Sequence, residues 1–258
     1  MNFLGIDLGW QSGPTGLCHL QLQGGQLMLV DLDRQPTHAA VLAWFDRQIP
    51  ATEPVIAAVD APTIIPNDTG MRLPDRLAHR LYGRYDAGCY PANRGRPFAA
   101  PLIAFGQALE QRGLVHAPNL SPQQAGRFQI EVFPHPAMIR LFRLPRILKY
   151  KKGRLAERRP ELARLRQLIL TELPQLTPGL SIQPAELPAV PTTGAAMKAL
   201  EDRLDSVICA YVAAHYWWWG LACNQVLGNQ AEGYIVVPCP KRMSATVEAP
   251  AGPGGAKS

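Results

Sequence analysis

Three apolar runs each carry one acid near their end: Asp7 in FLGIDLG, Asp60 in VIAAVDAP and Glu131 in FQIEVFP. A carboxylate in a buried strand costs several kcal/mol unless donors or a cation meet it. A single such acid is ordinarily a turn cap, and Asp60 before Ala61-Pro62 suits that use. Three in one chain are harder to explain separately. A fourth group lies in MKALEDRLDSVICAYVAAHY. At 100° per residue, Lys198, Glu201, Asp202, Ile208, Cys209, Val212 and Tyr216 fall within about 60° of Asp205. The stripe is polar in its first turns and apolar beyond, so Asp205 sits where the helix begins to meet the core. A helix laid on the sheet would bring Asp205, with Asp202 or Glu201, over the strand acids. The plain use of Asp202 is a first-turn acid that favours the helix dipole. That use is weaker for Asp205, further in and on the apolar stripe. Clustered carboxylates repel and call for a cation. Oxygen donors suit Mg²⁺ or Mn²⁺ rather than zinc. Two such ions about 4 Å apart activate water and stabilise a leaving oxygen in phosphodiester hydrolysis. The expected metal ligands are Asp7, Asp60, Asp202 and Asp205.

The cationic residues point to an anionic partner. The chain carries +6, but Arg140 to Arg166 holds eleven basic residues against Glu157 and Glu161, so the remainder is net acidic. A local basic stretch fits nucleic acid or serves as a solvated helix surface. Candidate phosphate contacts are Lys149, Lys151 and Lys152 in this stretch, with His135 in EVFPHP and Arg72, Arg76 and Arg80 earlier. Arg72, Arg76 and Arg80 have a second use as partners of the acids themselves. Tyr82, Tyr85 and Tyr90 interleave with the arginines and suit either base stacking or core packing. Trp217-Trp218-Trp219 cannot all face one side of a helix; core packing and a homodimer contact are its expected uses.

The elements that must position these groups read as follows. Strands are expected over 2–8, 15–22, 26–33, 54–60 and 128–133, with Gly24-Gly25 as a hairpin turn and 233–237 as a last edge strand. Helices are expected over 37–49, from Pro74, over 101–113, from Pro134 through Phe142, over 161–173 and over 195–219 with Gly220 ending the last. Residues 61–127 read as an insertion after the fourth strand, and 174–192 as a proline-rich loop. Hairpin, crossover helix and further strands make a mixed sheet flanked by helices. One domain over 1–243 is expected, with a basic helical segment over 140–173 and a disordered tail from 244. Five scattered cysteines without a CxxC pair favour neither a zinc site nor a disulfide framework, and a cytoplasmic setting is expected. No run of about 18 apolar residues suggests a membrane span.

In order along the chain, GIDLGW, AVDAP, NDTGMRLPDRL, EVFPHP and LEDRLDSVICAYVA resemble one family, the predicted RNase H-like nucleases of domain of unknown function 429. The resemblance covers most of residues 2–240. It implies a ribonuclease H-like fold with a mixed five-stranded sheet, and metal-dependent cleavage of nucleic acid, DNA or RNA. It implies that Asp7 and Asp205 hold the metals and that Asp60 is the third ligand. Glu131 joins Asp7, Asp60 and Asp205 as a catalytic candidate, either as ligand or as structural acid. Two other classes share these features: a phosphotransferase of the actin-like ATPase class, whose first strand also ends in a D-x-G turn, and a non-catalytic nucleic-acid-binding protein on the same fold.

Overall fold

In NFLGID, Phe3 and Gly5 face one way, Leu4 and Ile6 the other, and all four are buried. A strand buried on both faces belongs in the middle of a covered sheet. The computed structural model describes residues 1–10 and 13–239. It runs β1 (Asn2–Asp7), β2 (Thr15–Gln23), β3 (Gln26–Gln35), α1 (His38–Gln48), β4 (Val55–Val59), α2 (Leu73–Tyr82), α3 (Ala99–Glu110), β5 (Val115–His116) and β6 (Arg127–Glu131). Then come α4 (Pro134–Leu141), α5 (Leu155–Thr171), β7 (Leu180–Ser181), α6 (Gly194–Trp219), β8 (Asn224–Asn229) and β9 (Gly233–Pro238). The tail expected to be disordered lies outside the described residues.

The main sheet has the order β5-β6-β4-β1-β2-β3-β7. β1, β2 and β3 are antiparallel neighbours, whereas β4, β6 and β5 add in parallel on the other side. The turn between β2 and β3 uses Gly24 and Gly25 at φ 56° and 86°, the left-handed region a two-residue hairpin needs. Five long strands match the five expected. The strand count differs because β5 and β7, of two residues each, extend the edges to seven. The expected last edge strand is also placed differently: β9 pairs with β8 in a separate antiparallel hairpin and touches the main sheet through a single bridge, Val132 to Val236.

The sheet divides two cores. One face, with Leu4, Ile6, Leu17, Val55, Ala57 and Val59, is covered by α1 and α3. The other, with Phe3, Cys18, Leu20, Ile56, Ala58 and Ile130, is covered by α6 with α4 and α5 behind it. α6 is buried along most of its 26 residues, from Leu200 through Trp217, with only Arg203 less than buried in that span. Among the described residues no helix is long and apolar enough to cross a membrane.

A candidate metal centre at the strand ends

Register decides which acids meet. Ile6 pairs with Val59 in the parallel β1–β4 ladder, and the Asp60 N–H donates to the Ile6 carbonyl at 2.8 Å. The next residue of each strand is an aspartate, so Asp7 and Asp60 lie side by side. Both continue the face of Phe3 and Gly5, and of Ile56 and Ala58, which α6 covers. Glu131 pairs with Val59, whose side chain belongs to the opposite face. Side chains alternate along a strand, so Glu131 leaves β6 away from the two aspartates.

α6 reaches the aspartates because nothing separates it from the sheet. A Cβ on Gly5 would stand 1.9 Å from the Ser206 carbonyl oxygen, and one on Gly16 would stand 1.9 Å from that of Asp202. Backbone therefore lies on backbone where α6 crosses β1 and β2, and Asp205 is held, fully buried, above Asp7 and Asp60. The Tyr150 hydroxyl donates to Asp205 Oδ1 at 2.6 Å, and the Lys151 ammonium stands 2.7 Å from Asp205 Oδ2. The neighbouring helix acids are also met by cations. Asp202 contacts Arg34 Nε at 2.8 Å and Lys198 Nζ at 2.7 Å; Glu201 contacts the same Lys198 at 2.7 Å and Arg158 at 3.3 Å.

Charge is nevertheless crowded. Burial, partly offset by Lys151 and reinforced by Asp205, Asp60 and Asp202, pushes the Asp7 carboxyl well above the usual range. Burial likewise lifts Asp60 to about 7, against the pull of Lys151 and with the push of Asp205. Burial works against the charged form of Lys151, but Asp205, Asp7, Tyr150 and Asp60 outweigh it, and the ammonium is held charged. Burial brings His135, beside Tyr150 at a ring distance of 5.8 Å, down to about 4, so its imidazole is neutral at pH 7. Its Nδ1 is sealed from solvent without a partner.

Glu131 belongs to a different assembly, in which Arg72 takes the second of its two expected uses, as a partner of the acids. The Arg72 guanidinium spans Glu131 and Asp75: Nη1 and Nη2 reach the two Glu131 oxygens at 2.8 and 2.6 Å, and Nη2 reaches Asp75 Oδ1 at 2.7 Å. Nε donates to Asp75 and the remaining Nη1 donor to the Ile64 carbonyl. All five guanidinium donors are thus used inside the protein, and Arg72 has none left for a phosphate. Asp75 takes three more bonds, from the Arg72 and Ala92 N–H groups and from the Cys89 thiol. Through Arg72, Glu131 ties the end of β6 to the start of α2. Burial raises it to about 7, against Arg72. The pattern of acids at strand ends does not reveal Asp75, although LPDRL places it three residues after Arg72 in capping-box spacing.

The remaining candidates separate by position. Lys151, expected at phosphate, is paired with Asp205, and Arg158 is paired with Glu201; the basic segment thus turns part of its charge inward. Lys149, Lys152, Arg154, Arg159 and Arg164 stay exposed, with Lys149 near Asp86 at 3.6 Å. Arg76 and Arg80 are exposed on α2, away from the acids. Tyr82 is fully buried, which removes it as a stacking surface, whereas Tyr90 is 63% exposed. A cleft of about 460 Å³ opens over the strand ends, with Asp7, Asp60, Asp202 and Lys151 in it and Trp10, Tyr90 and His135 among its walls. The Trp10 indole is fixed by a 3.1 Å bond to the Asp60 carbonyl. Trp217 is buried against Phe3, while Trp218 and Trp219 are half-buried.

Among the described residues, no three His, Cys, Asp or Glu side chains stand as a ready-made metal group. The donor set still fits a hard divalent cation: Asp7, Asp60 and Asp205 offer oxygens only, repel one another, and leave Asp205 Oδ2 with a cation, the Lys151 ammonium, as its partner.

The family model described as "Protein of unknown function (DUF429)" matches residues 5–244. No curated protein matches the chain. Among solved structures the chain is similar to T. thermophilus RuvC in complex with Holliday junction substrate, at 13% identity and a TM-score of 0.30, over 83% of this chain and 97% of that one. A likeness that loose carries no argument about activity.

Proposed function

We propose, for a chain that belongs to the DUF429 family, a divalent-cation-dependent hydrolase of phosphodiester bonds in nucleic acid, built on an RNase H-like arrangement. The observation that carries it is the meeting of three carboxylates from separate elements: Asp7 and Asp60 line an open cleft, and Asp205 is buried beside them. Nothing in the packing of the core asks for them: apolar residues there would be cheaper. Mg²⁺ or Mn²⁺ bound by Asp7, Asp60 and Asp205 would supply a Lewis acid that makes water a nucleophile near neutral pH.

The residues of the chain have distinct parts in this reading. Asp7 and Asp60 present adjacent oxygens because their strands are in register. Asp205 completes the set from above, its Oδ1 fixed by Tyr150 so that Oδ2 points into the cluster. Asp202 lies at the cleft wall as a further oxygen donor, at present shared between Arg34 and Lys198. His135, neutral at pH 7, lines the same cleft as a contact for water or phosphate. The exposed Lys149, Lys152, Arg154 and Arg159 attract the phosphate backbone.

The test is cleavage of labelled single-stranded, double-stranded and hybrid substrates in Mg²⁺ and Mn²⁺, beside an ATP-turnover assay. Cleavage by the wild type that is lost in Asp205→Asn, with the fold retained, is the expected result. ATP turnover without cleavage, or tight nucleic-acid binding with neither activity, overturns the hydrolase reading.

A further inference from the structure

Two consecutive residues treat Asp205 differently. Tyr150 is fully buried, and its hydroxyl fixes Oδ1 at 2.6 Å; its carbonyl is in turn held by Arg158 Nε at 2.7 Å. Lys151 follows it with a side chain 31% exposed, and its ammonium touches Oδ2 at 2.7 Å. Among the described residues no other donor reaches that oxygen, so the lysine is its sole partner. A lysine has a flexible stem and a point charge, unlike the rigid fork of an arginine. The same ammonium acts on Asp7 and Asp60 as well as on Asp205. One positive charge on a tether thus stands where three carboxylates converge, at the edge of an open cleft.

We propose that Lys151 is a tethered stand-in for the divalent cation: it neutralises Asp7, Asp60 and Asp205 in the metal-free protein, is displaced from Asp205 when a divalent cation binds, and then faces the cleft as a contact for the substrate phosphate. The proposal rests on the cation-dependent reading above. It joins the sequence expectation for Lys151, a phosphate contact, to the ion pair seen in the structure, as two positions of one side chain. The fixed Tyr150 lets the ammonium move without releasing Asp205 Oδ1. Before loading, the lysine limits the repulsion that would otherwise drive the acids apart.

The probe is Mn²⁺ alone, titrated calorimetrically into the full chain as wild type, Lys151→Met and Lys152→Met. Methionine keeps much of the stem and removes the charge. If the lysine competes with the cation, Lys151→Met binds Mn²⁺ roughly tenfold tighter or more. It also melts lower than wild type without Mn²⁺ and gains more in melting temperature when Mn²⁺ is added. Lys152→Met, a change at an exposed neighbour, matches wild type in both. A Lys151→Met chain that folds only with Mn²⁺ present supports the proposal. Should it fold in neither condition, Lys151→Arg, which keeps the charge, replaces it and should bind no tighter than wild type; tighter binding overturns the proposal. Wild type that binds Mn²⁺ with Lys151→Met no tighter overturns the stand-in role and leaves the hydrolase reading intact. Absence of binding by wild type overturns both.

Discussion

Two groups of buried acids lie at the same end of the sheet, and they are opposites. Glu131 and Asp75 share one arginine whose five donors are all used, and every charge in the group has a fixed partner. Asp7, Asp60 and Asp205 share one lysine, and one tyrosine hydroxyl holds Asp205 alone. The first group is closed in its hydrogen bonding; it holds the start of α2 to the end of β6. The second is under-neutralised, although Asp7 and Asp60 line the same cleft as Arg72, Asp75 and Glu131. Burial of an acid at a strand end does not by itself mark a working site. The count of donors against acceptors, and the stiffness of the cation that answers them, separates the two.

The largest expected contrast is in activity. Asp7→Asn should lower cleavage roughly a thousandfold by removing one oxygen ligand, about 4 kcal/mol of transition-state stabilisation. Glu131→Gln should keep cleavage per folded molecule within about tenfold. Steady-state rates corrected for the folded fraction measure both, and equal losses would erase the distinction between the groups.

Next is stability. Arg72→Met leaves Glu131 and Asp75 buried without their counter-charge and should cost about 3–5 kcal/mol in urea unfolding. A loss below about 1 kcal/mol would mean that the closed group is not what holds α2.

The pH dependence sharpens the comparison further. Asp60 is lifted to about 7 from an ordinary value near 3.8, so between those values the folded chain holds a proton that the unfolded chain has lost. Asp60 therefore lowers the stability of the metal-free protein as pH rises from about 4 to about 7. Asp60→Asn should remove that decline, raising the melting temperature at pH 8 and leaving it nearly unchanged at pH 4. Burial of His135 has the opposite sign over part of the same range, since its folded value of about 4 lies below the ordinary 6.5. The prediction is therefore the difference between mutant and wild type across pH, read by calorimetric melting. A difference that does not grow with pH would deny the crowding at Asp60.

The smallest effect concerns the outward half of the basic segment. Replacing Lys149, Lys152, Arg154 and Arg159 by Ala should flatten the plot of log K against log salt for duplex binding by about 0.9 for each phosphate that is no longer neutralised. An unchanged slope would make that surface a solvated one only.

Much of this contrast is present in the residue order, and some is not. Asp7 and Asp60 are legible because apolar runs ending in an acid announce strand ends, and Asp205 because helical periodicity places it on the buried stripe. The separation of Glu131 follows from alternation in FQIEVF, but only once the partner strand and its register are known, and those are set by long-range pairing. The five-donor arrangement of Arg72 joins residues 59 apart, which local pattern does not show. Lys151 reads as outward-facing because LKYKK has the look of a charge run; only the burial of Tyr150 turns its neighbour toward the acids. The β8–β9 hairpin is half legible. The run GYIVV has strand composition, whereas NQVLGN follows the end of α6 without clear alternation.

The bare contact of α6 with β1 and β2 has a consequence for how the chain tolerates change. Because Gly5 and Gly16 put backbone against backbone, the separation of Asp205 from Asp7 is gauged by main-chain atoms, not by the size of intervening side chains. Elsewhere in a core, a leucine can be exchanged for a methionine of similar volume at a cost of less than about 1.5 kcal/mol. At these two crossings there is no side chain to exchange. The apolar interior can thus drift in composition while the acids keep their spacing, and the two glycines serve as the gauge blocks of the site.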